Sequence, residues 1–257
     1  MTTLDIDAIT LHRQGAGPPL VLLHCLGVDR HFWDFADALA SQFTLLSYDL
    51  PGHGQSPVPD RPYGIEDLAA QLAALLTSHG IARAHVVGIS LGGLIAQQLA
   101  AARPELVDRL ILVDTTPRYT DELRAMWAER AATARAAGVK AMVEGLLKIW
   151  FTPQSIAADT DGVRYVRTTL AQSSGEGYAL ACEALAAADL RAGASRIAAR
   201  TLVVCGDDDI PSFLDAARWL AGNIKNAKLA WIAKARHASV IERPAEALAL
   251  MRGFLQD

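Results

Sequence analysis

Short apolar runs bounded by turn residues alternate along the chain with longer stretches in which apolar residues have helical spacing. The apolar runs predict buried strands at residues 18–27, 43–52, 84–90, 109–116, 201–208 and 227–234. The stretches of helical spacing predict helices at residues 31–42, 65–80, 90–104 and 244–255. This alternation is typical of an α/β protein with a mostly parallel sheet between helices. Residues 4–14 are expected to form an antiparallel hairpin at one edge, which gives an eight-stranded sheet.

The alternation stops in the middle of the chain. Between Pro117 and Arg191, four stretches of helical spacing follow one another with no apolar run of strand type. An insertion of this kind predicts a helical cap, or lid, over the sheet edge where the loops converge. We therefore expect a core formed by residues 1–116 and 192–257, and a cap formed by residues 117–191.

Composition and charge exclude several classes of protein. Hydrophobic residues make up 51% of the 257 residues and charged residues 20%, which is typical of a well-packed globule and not of a disordered chain. A net charge of −4, without a basic run, argues against a nucleic-acid partner. No apolar run reaches membrane-spanning length, and the first 15 residues do not resemble a signal peptide.

The three cysteines, Cys25, Cys182 and Cys205, are widely spaced and fit neither a metal-ligand pattern nor a disulfide framework. A reducing compartment is the expectation for such a chain. We therefore expect a cytoplasmic protein without a membrane partner, either a monomer or a small homo-oligomer.

A serine lies among glycines where a predicted strand meets a predicted helix, in the sequence Gly88-Ile89-Ser90-Leu91-Gly92. Glycines at these positions let strand and helix backbones approach closely, and the strained turn exposes the serine hydroxyl. The helix N-terminus below it favours developing negative charge. The pattern predicts that Ser90 is a catalytic nucleophile; the other interpretation is an ordinary helix-capping serine in a glycine-rich turn.

A nucleophilic serine needs a base and an acid, which follow it in the order acid, then histidine, in hydrolases with this turn. Six of the seven histidines precede Ser90, so His237, in a loop before the last helix, is the predicted base. Asp209, at the end of a predicted strand, is the predicted acid. Three alternatives stay open: Asp114, Asp207 and Asp208.

Backbone N–H groups are expected to stabilise the oxyanion that forms when the serine attacks. The residue after the nucleophile, Leu91, is one predicted donor, and Leu26 in the loop His24-Cys25-Leu26-Gly27 is the other. Cys25 offers a rival nucleophile, but adjacent side chains in extended backbone point to opposite sides, so its neighbour His24 is no evidence for a catalytic pair. Packing in the loop is the simpler role for Cys25.

Over the whole chain, the sequence resembles the α/β-hydrolase superfamily and, more narrowly, the 3-oxoadipate enol-lactonases. The wider resemblance rests on Ser90, Asp209 and His237 in this order, with the motifs HCLG and SYDLPGHGQSPVP. The narrower one rests on the predicted cap, above all EGYALACEALAAADLR, and on the segment HASVIERPAE. The chain departs from the narrower family at Cys25 and Arg236, where glycine is common.

The resemblance implies an enzyme that opens a small enol-lactone to 3-oxoadipate through an acyl-enzyme, with neither a metal nor an organic cofactor. Such a substrate carries a carboxylate, and the resemblance implies Arg130 as its partner, with Trp127 and Trp150 as pocket walls. Alternatively, Arg130 is a solvated helix residue and both tryptophans are core. A carboxylesterase, another lactonase or a small-molecule sensor of the same fold are the competing functions.

Overall fold

The computed structural model describes residues 4–257 and contains a single mixed sheet. Its strands are β1 (His12–Gly15), β2 (Pro19–Leu23), β3 (Thr44–Ser47), β4 (Ala84–Ile89), β5 (Val107–Val113), β6 (Arg200–Gly206) and β7 (Ala227–Ile232). Their order in the sheet is β1-β3-β2-β4-β5-β6-β7. Only the β1–β3 pair is antiparallel. The carboxyl ends of six strands therefore meet at one edge, where ligands bind in open parallel sheets.

Helices flank the sheet and cover its carboxyl edge. They are α1 (Ile65–Ser78), α2 (Leu91–Ala102), α3 (Asp121–Ala137), α4 (Val143–Trp150), α5 (Pro153–Ala157), α6 (Asp161–Gln172), α7 (Gly175–Ala187), α8 (Pro211–Asn223), α9 (Ser239–Glu242) and α10 (Pro244–Gln256). The mostly parallel α/β architecture predicted from the sequence is confirmed. The central strands β4 and β5 read as continuous apolar runs because both of their faces are buried beneath helices.

The predicted eighth strand is wrong for the part of the chain that the structure describes. Residues 4–11 form a turn and irregular backbone instead of the first arm of a hairpin. The carboxylate of Asp5 accepts a 2.8 Å hydrogen bond from the Asp7 N–H, while Leu4 and Ile9 are buried in the core. Only β1 joins the sheet, and the buried residues of the segment before it do not follow the period of two that a strand face requires.

Several helices differ from the prediction. The cap contains five α-helices and not four, and the short helix α9 was not predicted. The segment predicted as a helix at residues 31–42 is a 3₁₀ helix, Arg30–Leu39. Helix α8 was missed, although Pro211 stands at its first position, where the fixed φ of proline favours helix initiation. Its apolar periodicity is no weaker than that of α10, which was predicted, so a local signal for this helix was present in the sequence.

Helices α3 to α7, which we call the cap helices, occupy the interval between β5 and β6 and lie on the loops that follow β2 and β3. The Ser173 hydroxyl donates to the Gly27 carbonyl at 2.6 Å, and the Tyr165 hydroxyl donates to Asp29 at 2.8 Å. The backbone at Gly177 is so close to Gly52 that a side chain at either position would clash. The limits of the cap as a separate unit, residues 117 and 191, stay a prediction.

Within residues 4–257, no helix is both long enough and apolar enough to cross a membrane.

Candidate active site

Ser90 occupies a strained turn between β4 and α2, with φ of 51° and ψ of −112°. A Cβ at Gly88 would lie 2.2 Å from the carbonyl oxygen of Gly92, and a Cβ at Gly92 would lie 2.3 Å from that of Leu23. Only glycine fits at either position, because both contacts are to backbone. The strain is held by the surrounding sheet, since the Ser90 N–H donates to the Val113 carbonyl at 3.0 Å.

His237 lies within hydrogen-bond distance of both Ser90 and Asp209. Its Nε2 is 3.1 Å from the Ser90 hydroxyl oxygen and its Nδ1 is 3.0 Å from a carboxylate oxygen of Asp209. With the proton on Nδ1, the imidazole donates to Asp209 and accepts from the serine hydroxyl. The three side chains are buried and come from the ends of three different strands. This geometry can deprotonate the serine as it attacks a carbonyl carbon.

The environment of His237 favours its protonated form. Burial by itself would lower the pKa of His237, but the Asp209 carboxylate, through its charge and its hydrogen bond, and the more distant Asp114 outweigh that effect. Arg130 opposes them weakly. The net result is a pKa above the ordinary value of 6.5, as suits a base that must carry a proton during the reaction.

The three adjacent aspartates after β6 have different surroundings. Asp209 is buried, and its second oxygen accepts a 2.7 Å hydrogen bond from the Ile210 N–H, which fixes the carboxylate toward His237. Asp207 is exposed and accepts from the Lys234 N–H at 2.6 Å, while Asp208 is exposed to solvent. Of the three, only Asp209 bonds to the imidazole of His237.

Asp114, the positional alternative after β5, does not bond to the imidazole. It is completely buried, and its carboxylate accepts from the Gly206 N–H at 2.9 Å and from the Ser239 hydroxyl at 2.6 Å. Among residues 4–257, Asp114, Cys205 and Asp209 form the one group of possible metal ligands, with ligand atoms within 4.8 Å of one another. Hydrogen bonds already engage the carboxylate oxygens of both aspartates, so this group is part of the internal network of the site.

The two predicted oxyanion donors lie on backbone segments that touch. Leu91 is the first residue of α2, where N–H groups have no partner within the helix. Gly92, the next residue, packs directly on the carbonyl groups that precede Leu26, those of Leu23 and His24. The loop of residues 24–29 and the N-terminus of α2 therefore border the same space beside Ser90.

Cys25 is not strained and is not part of a catalytic pair. The positive φ in its loop falls on Gly27, at 78°, and not on Cys25. The His24 ring donates from Nδ1 to the Cys25 carbonyl at 2.8 Å and accepts from the Leu50 N–H at Nε2, so neither ring nitrogen serves the thiol. Burial also raises the pKa of the Cys25 thiol, which keeps it protonated.

The predicted substrate-binding residues of α3 face the site. The guanidinium carbon of Arg130 lies 4.8 Å from the centre of the Trp127 ring. Its positive charge lowers the pKa of His237. Burial raises the pKa values of the Tyr119 and Tyr178 hydroxyls, and the Arg130 charge opposes that rise. No carboxylate in residues 4–257 lies within ion-pair distance of Arg130.

Two further aromatic residues of the site were missed from the sequence. The Tyr119 ring packs edge-on against Trp127 at 5.3 Å, and the Phe213 ring lies 4.4 Å from that of His237. Trp150, which was predicted, lies 6.2 Å from His237. The Trp127 indole N–H is buried without a hydrogen-bond partner. The position of Tyr119 shortly after β5 is the signal that could have identified it.

The loop that carries His237, residues 233–238, is bonded to the cap helices as well as to the sheet. The Ala238 N–H donates to the Trp150 carbonyl at 2.9 Å. The buried Glu242 carboxylate accepts from the Thr152 N–H and from the Arg236 N–H, both at 2.9 Å. The Arg236 guanidinium also donates to the Lys148 carbonyl. Hydrogen bonds therefore connect the loop of His237, the predicted base, directly to the cap helices.

Comparison with known proteins assigns the family. A profile of the alpha/beta hydrolase fold matches residues 18–244, which is most of the chain. The chain belongs to the α/β-hydrolase family. The superfamily resemblance inferred from the sequence is thereby confirmed, and the enzyme is an ester hydrolase of this fold.

Relatives of this α/β-hydrolase act on more than one kind of ester. It is 34% identical over 232 residues to 3-oxoadipate enol-lactonase 2 of Acinetobacter baylyi, covering 90% of this chain and 86% of that protein. It is 35% identical over 233 residues to a pimeloyl-[acyl-carrier protein] methyl ester esterase of Chromobacterium violaceum, covering 87% and 89%. The crystal structure of the enol-lactonase from Burkholderia xenovorans LB400 superposes with a TM-score of 0.92 at 33% identity, covering 97% of this chain and 96% of the other.

Proposed function

We propose that this α/β-hydrolase opens a small lactone that carries a carboxylate, most specifically 3-oxoadipate enol-lactone, and releases 3-oxoadipate. The observation that carries the proposal is Arg130, a half-buried cation without a carboxylate partner in residues 4–257, whose charge reaches His237. The guanidinium is partly exposed and stacks on the Trp127 ring, so its charge is tolerated there while its N–H groups can pair with a substrate carboxylate. The enol-lactonases of Acinetobacter baylyi and Burkholderia xenovorans support the same substrate.

In the proposed acylation step, His237 takes the Ser90 proton while the serine oxygen attacks the ring carbonyl. Asp209 holds the imidazole with its Nδ1 proton and stabilises the imidazolium that forms. The N–H groups of Leu26 and Leu91 stabilise the tetrahedral oxyanion. Collapse of this intermediate breaks the ring C–O bond, and the leaving oxygen takes a proton from His237 to give an enol that becomes a ketone.

Deacylation repeats the same proton transfers with water as the nucleophile. His237 removes a proton from water, the hydroxide attacks the acyl carbonyl, and the proton returns to the Ser90 oxygen. The leaving oxygen stays attached to the acyl group through the first step, because both belong to the same lactone ring. The enol is a weakly basic leaving group, so the proposed triad and oxyanion donors are sufficient for acylation.

Recognition of the substrate is proposed to fall to the cap side of the site. Arg130 pairs with the substrate carboxylate, and Trp127 and Trp150 form apolar walls. The Trp127 indole N–H, buried without a partner beside Arg130, adds a hydrogen bond to the same end of the ligand, whereas the Tyr119 hydroxyl interacts with Ser90. Arginine is suited to this role because its planar fork matches a carboxylate.

A second candidate is a carboxylesterase that acts on small methyl esters. The observation that favours it is the 35% identity to the methyl ester esterase of Chromobacterium violaceum, which is as high as the identity to the enol-lactonases. The proposed Ser90, His237 and Asp209 machinery is common to both reactions. The two candidates therefore differ only in what the cap side binds.

A rate assay on three substrates tests the proposal: freshly generated 3-oxoadipate enol-lactone, p-nitrophenyl acetate and a neutral lactone, with Ser90→Ala as the control. We expect kcat/KM of ~10⁵ M⁻¹s⁻¹ or more for the enol-lactone, well above the other two and lost in the variant. Ester turnover with no turnover of the enol-lactone would favour the second candidate. A complete absence of Ser90-dependent turnover would contradict both and favour a small-molecule sensor.

A further inference from the structure

A second carboxylate lies behind the proposed triad and takes no part in the mechanism above. Asp114 follows β5 and Asp209 follows shortly after β6, and these strands are parallel neighbours in the sheet. Both carboxylates are therefore at the same edge, where they and the Cys205 thiol lie within 4.8 Å of one another. Asp114 is completely buried and has a positive φ of 41°, which costs free energy in a residue other than glycine.

The contacts of Asp114 connect the end of the sheet to the element that follows the base. One carboxylate oxygen accepts from the Gly206 N–H at 2.9 Å, at the end of β6. The other accepts from the N–H and the hydroxyl of Ser239, at 3.2 Å and 2.6 Å. Ser239 is two residues beyond His237 and begins α9. Asp114 thus holds the backbone that carries the base without touching the imidazole.

Charge gives Asp114 a second effect on His237. Burial raises the pKa of Asp114 to about 7, and the neighbouring Asp209 adds to that rise, while His237 and the hydrogen bonds from Ser239 and Gly206 oppose it. The imidazole in turn faces Asp209, Asp114 and the cation of Arg130. The remaining titratable groups facing Asp114 are the thiols of Cys205 and Cys25, whose pKa values burial raises.

We propose that Asp114 is a positioning residue for His237: it fixes the His237 loop through Ser239 and, through its charge, makes the imidazole a stronger base. The proposal rests on the proposed role of His237 as general base. Two carboxylates thus act on His237: Asp209 by a direct hydrogen bond, and Asp114 through Ser239 and through its charge. A carboxylate is suited to this position because it accepts on both oxygens, from Gly206 on one side and from Ser239 on the other, whereas asparagine has a single acceptor oxygen.

The test is an NMR titration of the His237 Cε1–H in the wild type and in Asp114→Asn, with the resonance assigned by its loss in His237→Gln. We expect the His237 titration midpoint to move to lower pH in Asp114→Asn, because a negative charge near the imidazolium is removed. Asp208→Asn is the matched control; it removes an exposed charge from the Asp209 loop and should leave the midpoint in place. An unchanged or higher midpoint in a folded Asp114→Asn protein would overturn the proposal.

A kinetic measurement separates the positioning effect from the effect of charge, and covers the case in which Asp114→Asn does not fold. Ser239→Ala keeps the carboxylate but removes its shortest hydrogen bond to α9, so kcat for p-nitrophenyl acetate should fall about 3- to 10-fold with KM unchanged, for a lost hydrogen bond to a charged group. An unchanged kcat would overturn the positioning role. Failure of the general-base proposal is recognised independently, since His237→Gln would then leave turnover unaffected.

Discussion

The two sides of the candidate site differ in how their polar groups are satisfied. On the sheet side, Ser90, His237 and Asp209 are within hydrogen-bond distance of one another. On the cap side, Arg130 lacks a carboxylate partner in residues 4–257, and the indole N–H of Trp127 is buried without a partner. The polar groups of the proposed triad are therefore satisfied within the protein, whereas those proposed to recognise substrate still have donors for a ligand.

The largest effects are expected on the sheet side and should be the same for every substrate. Asp209→Asn should lower kcat about 10⁴-fold, because the imidazole loses the partner that sets its tautomer. Asp208→Asn, one residue away and exposed, is the matched control and should retain nearly full activity. Steady-state rates on an ester and a lactone check this. A loss of kcat on only one of the two substrates would contradict the claim that the sheet side acts equally on every substrate.

The loop of residues 24–29 is where the two sides meet. A Cβ at Gly27 would lie 2.5 Å from the Leu170 side chain of the cap, in a backbone with φ of 78°. Gly27→Ala should therefore lower kcat about 10- to 100-fold by displacing the predicted oxyanion donor Leu26. Cys25→Gly should change kcat less than about 3-fold, since Cys25 has no positive φ to relieve. Equal losses in the two variants would contradict this account of the loop.

The Glu242 carboxylate joins the two sides, and its removal should cost stability more than activity. It accepts hydrogen bonds from Thr152 and Ser155 of the cap and from Arg236 beside the base. Glu242→Ala leaves these buried donors unpaired and should lower the free energy of unfolding by about 3 kcal/mol. Urea denaturation measures the loss; Glu246→Ala, on the exposed start of α10, is the control. A loss below about 1 kcal/mol would show that cap and base are not coupled through Glu242.

The smallest effect is a displacement of the pH profile. The base must be neutral, so kcat/KM rises with pH as His237 loses its proton. The carboxylates of Asp209 and Asp114 outweigh burial and raise the pKa of His237, so the rise should be centred above pH 6.5, the ordinary value. A kcat/KM profile between pH 5 and 9 on a neutral ester measures the midpoint. A midpoint below 6.5 would show that burial, and not the carboxylates, dominates.

Local patterns made much of the sheet side predictable. The glycines around Ser90 are required by close backbone contacts, of Gly88 with Gly92 and of Gly92 with Leu23, so the glycine pattern in the sequence indicates the turn. His237 could be selected because the other histidines precede Ser90. The acid was harder, since Asp207, Asp208 and Asp209 differ only in which one the turn buries.

Other features depend on contacts between distant segments and left no local pattern. The family resemblance indicated Trp127, Trp150 and Arg130, but Tyr119 and Phe213 reach the site only through the packing of separate loops and helices. The predicted eighth strand was wrong for the same reason: Leu4 and Ile9 are apolar and buried, yet they are not on one face of a strand and each contacts a different part of the core. Periodicity records that a side chain is buried but not what it is buried against.

The measurement that tests the central claim most directly compares Arg130→Ala with the wild type on 3-oxoadipate enol-lactone and on its neutral methyl ester. Loss of a charge-assisted pair should lower kcat/KM for the anionic lactone about 10- to 100-fold and leave the methyl ester within about 3-fold. The matched control is Arg135→Ala on the same helix, whose guanidinium already pairs with Glu176 and Glu183 at the surface and should affect neither substrate. Equal losses on both lactones would contradict the claim that Arg130 recognises the carboxylate.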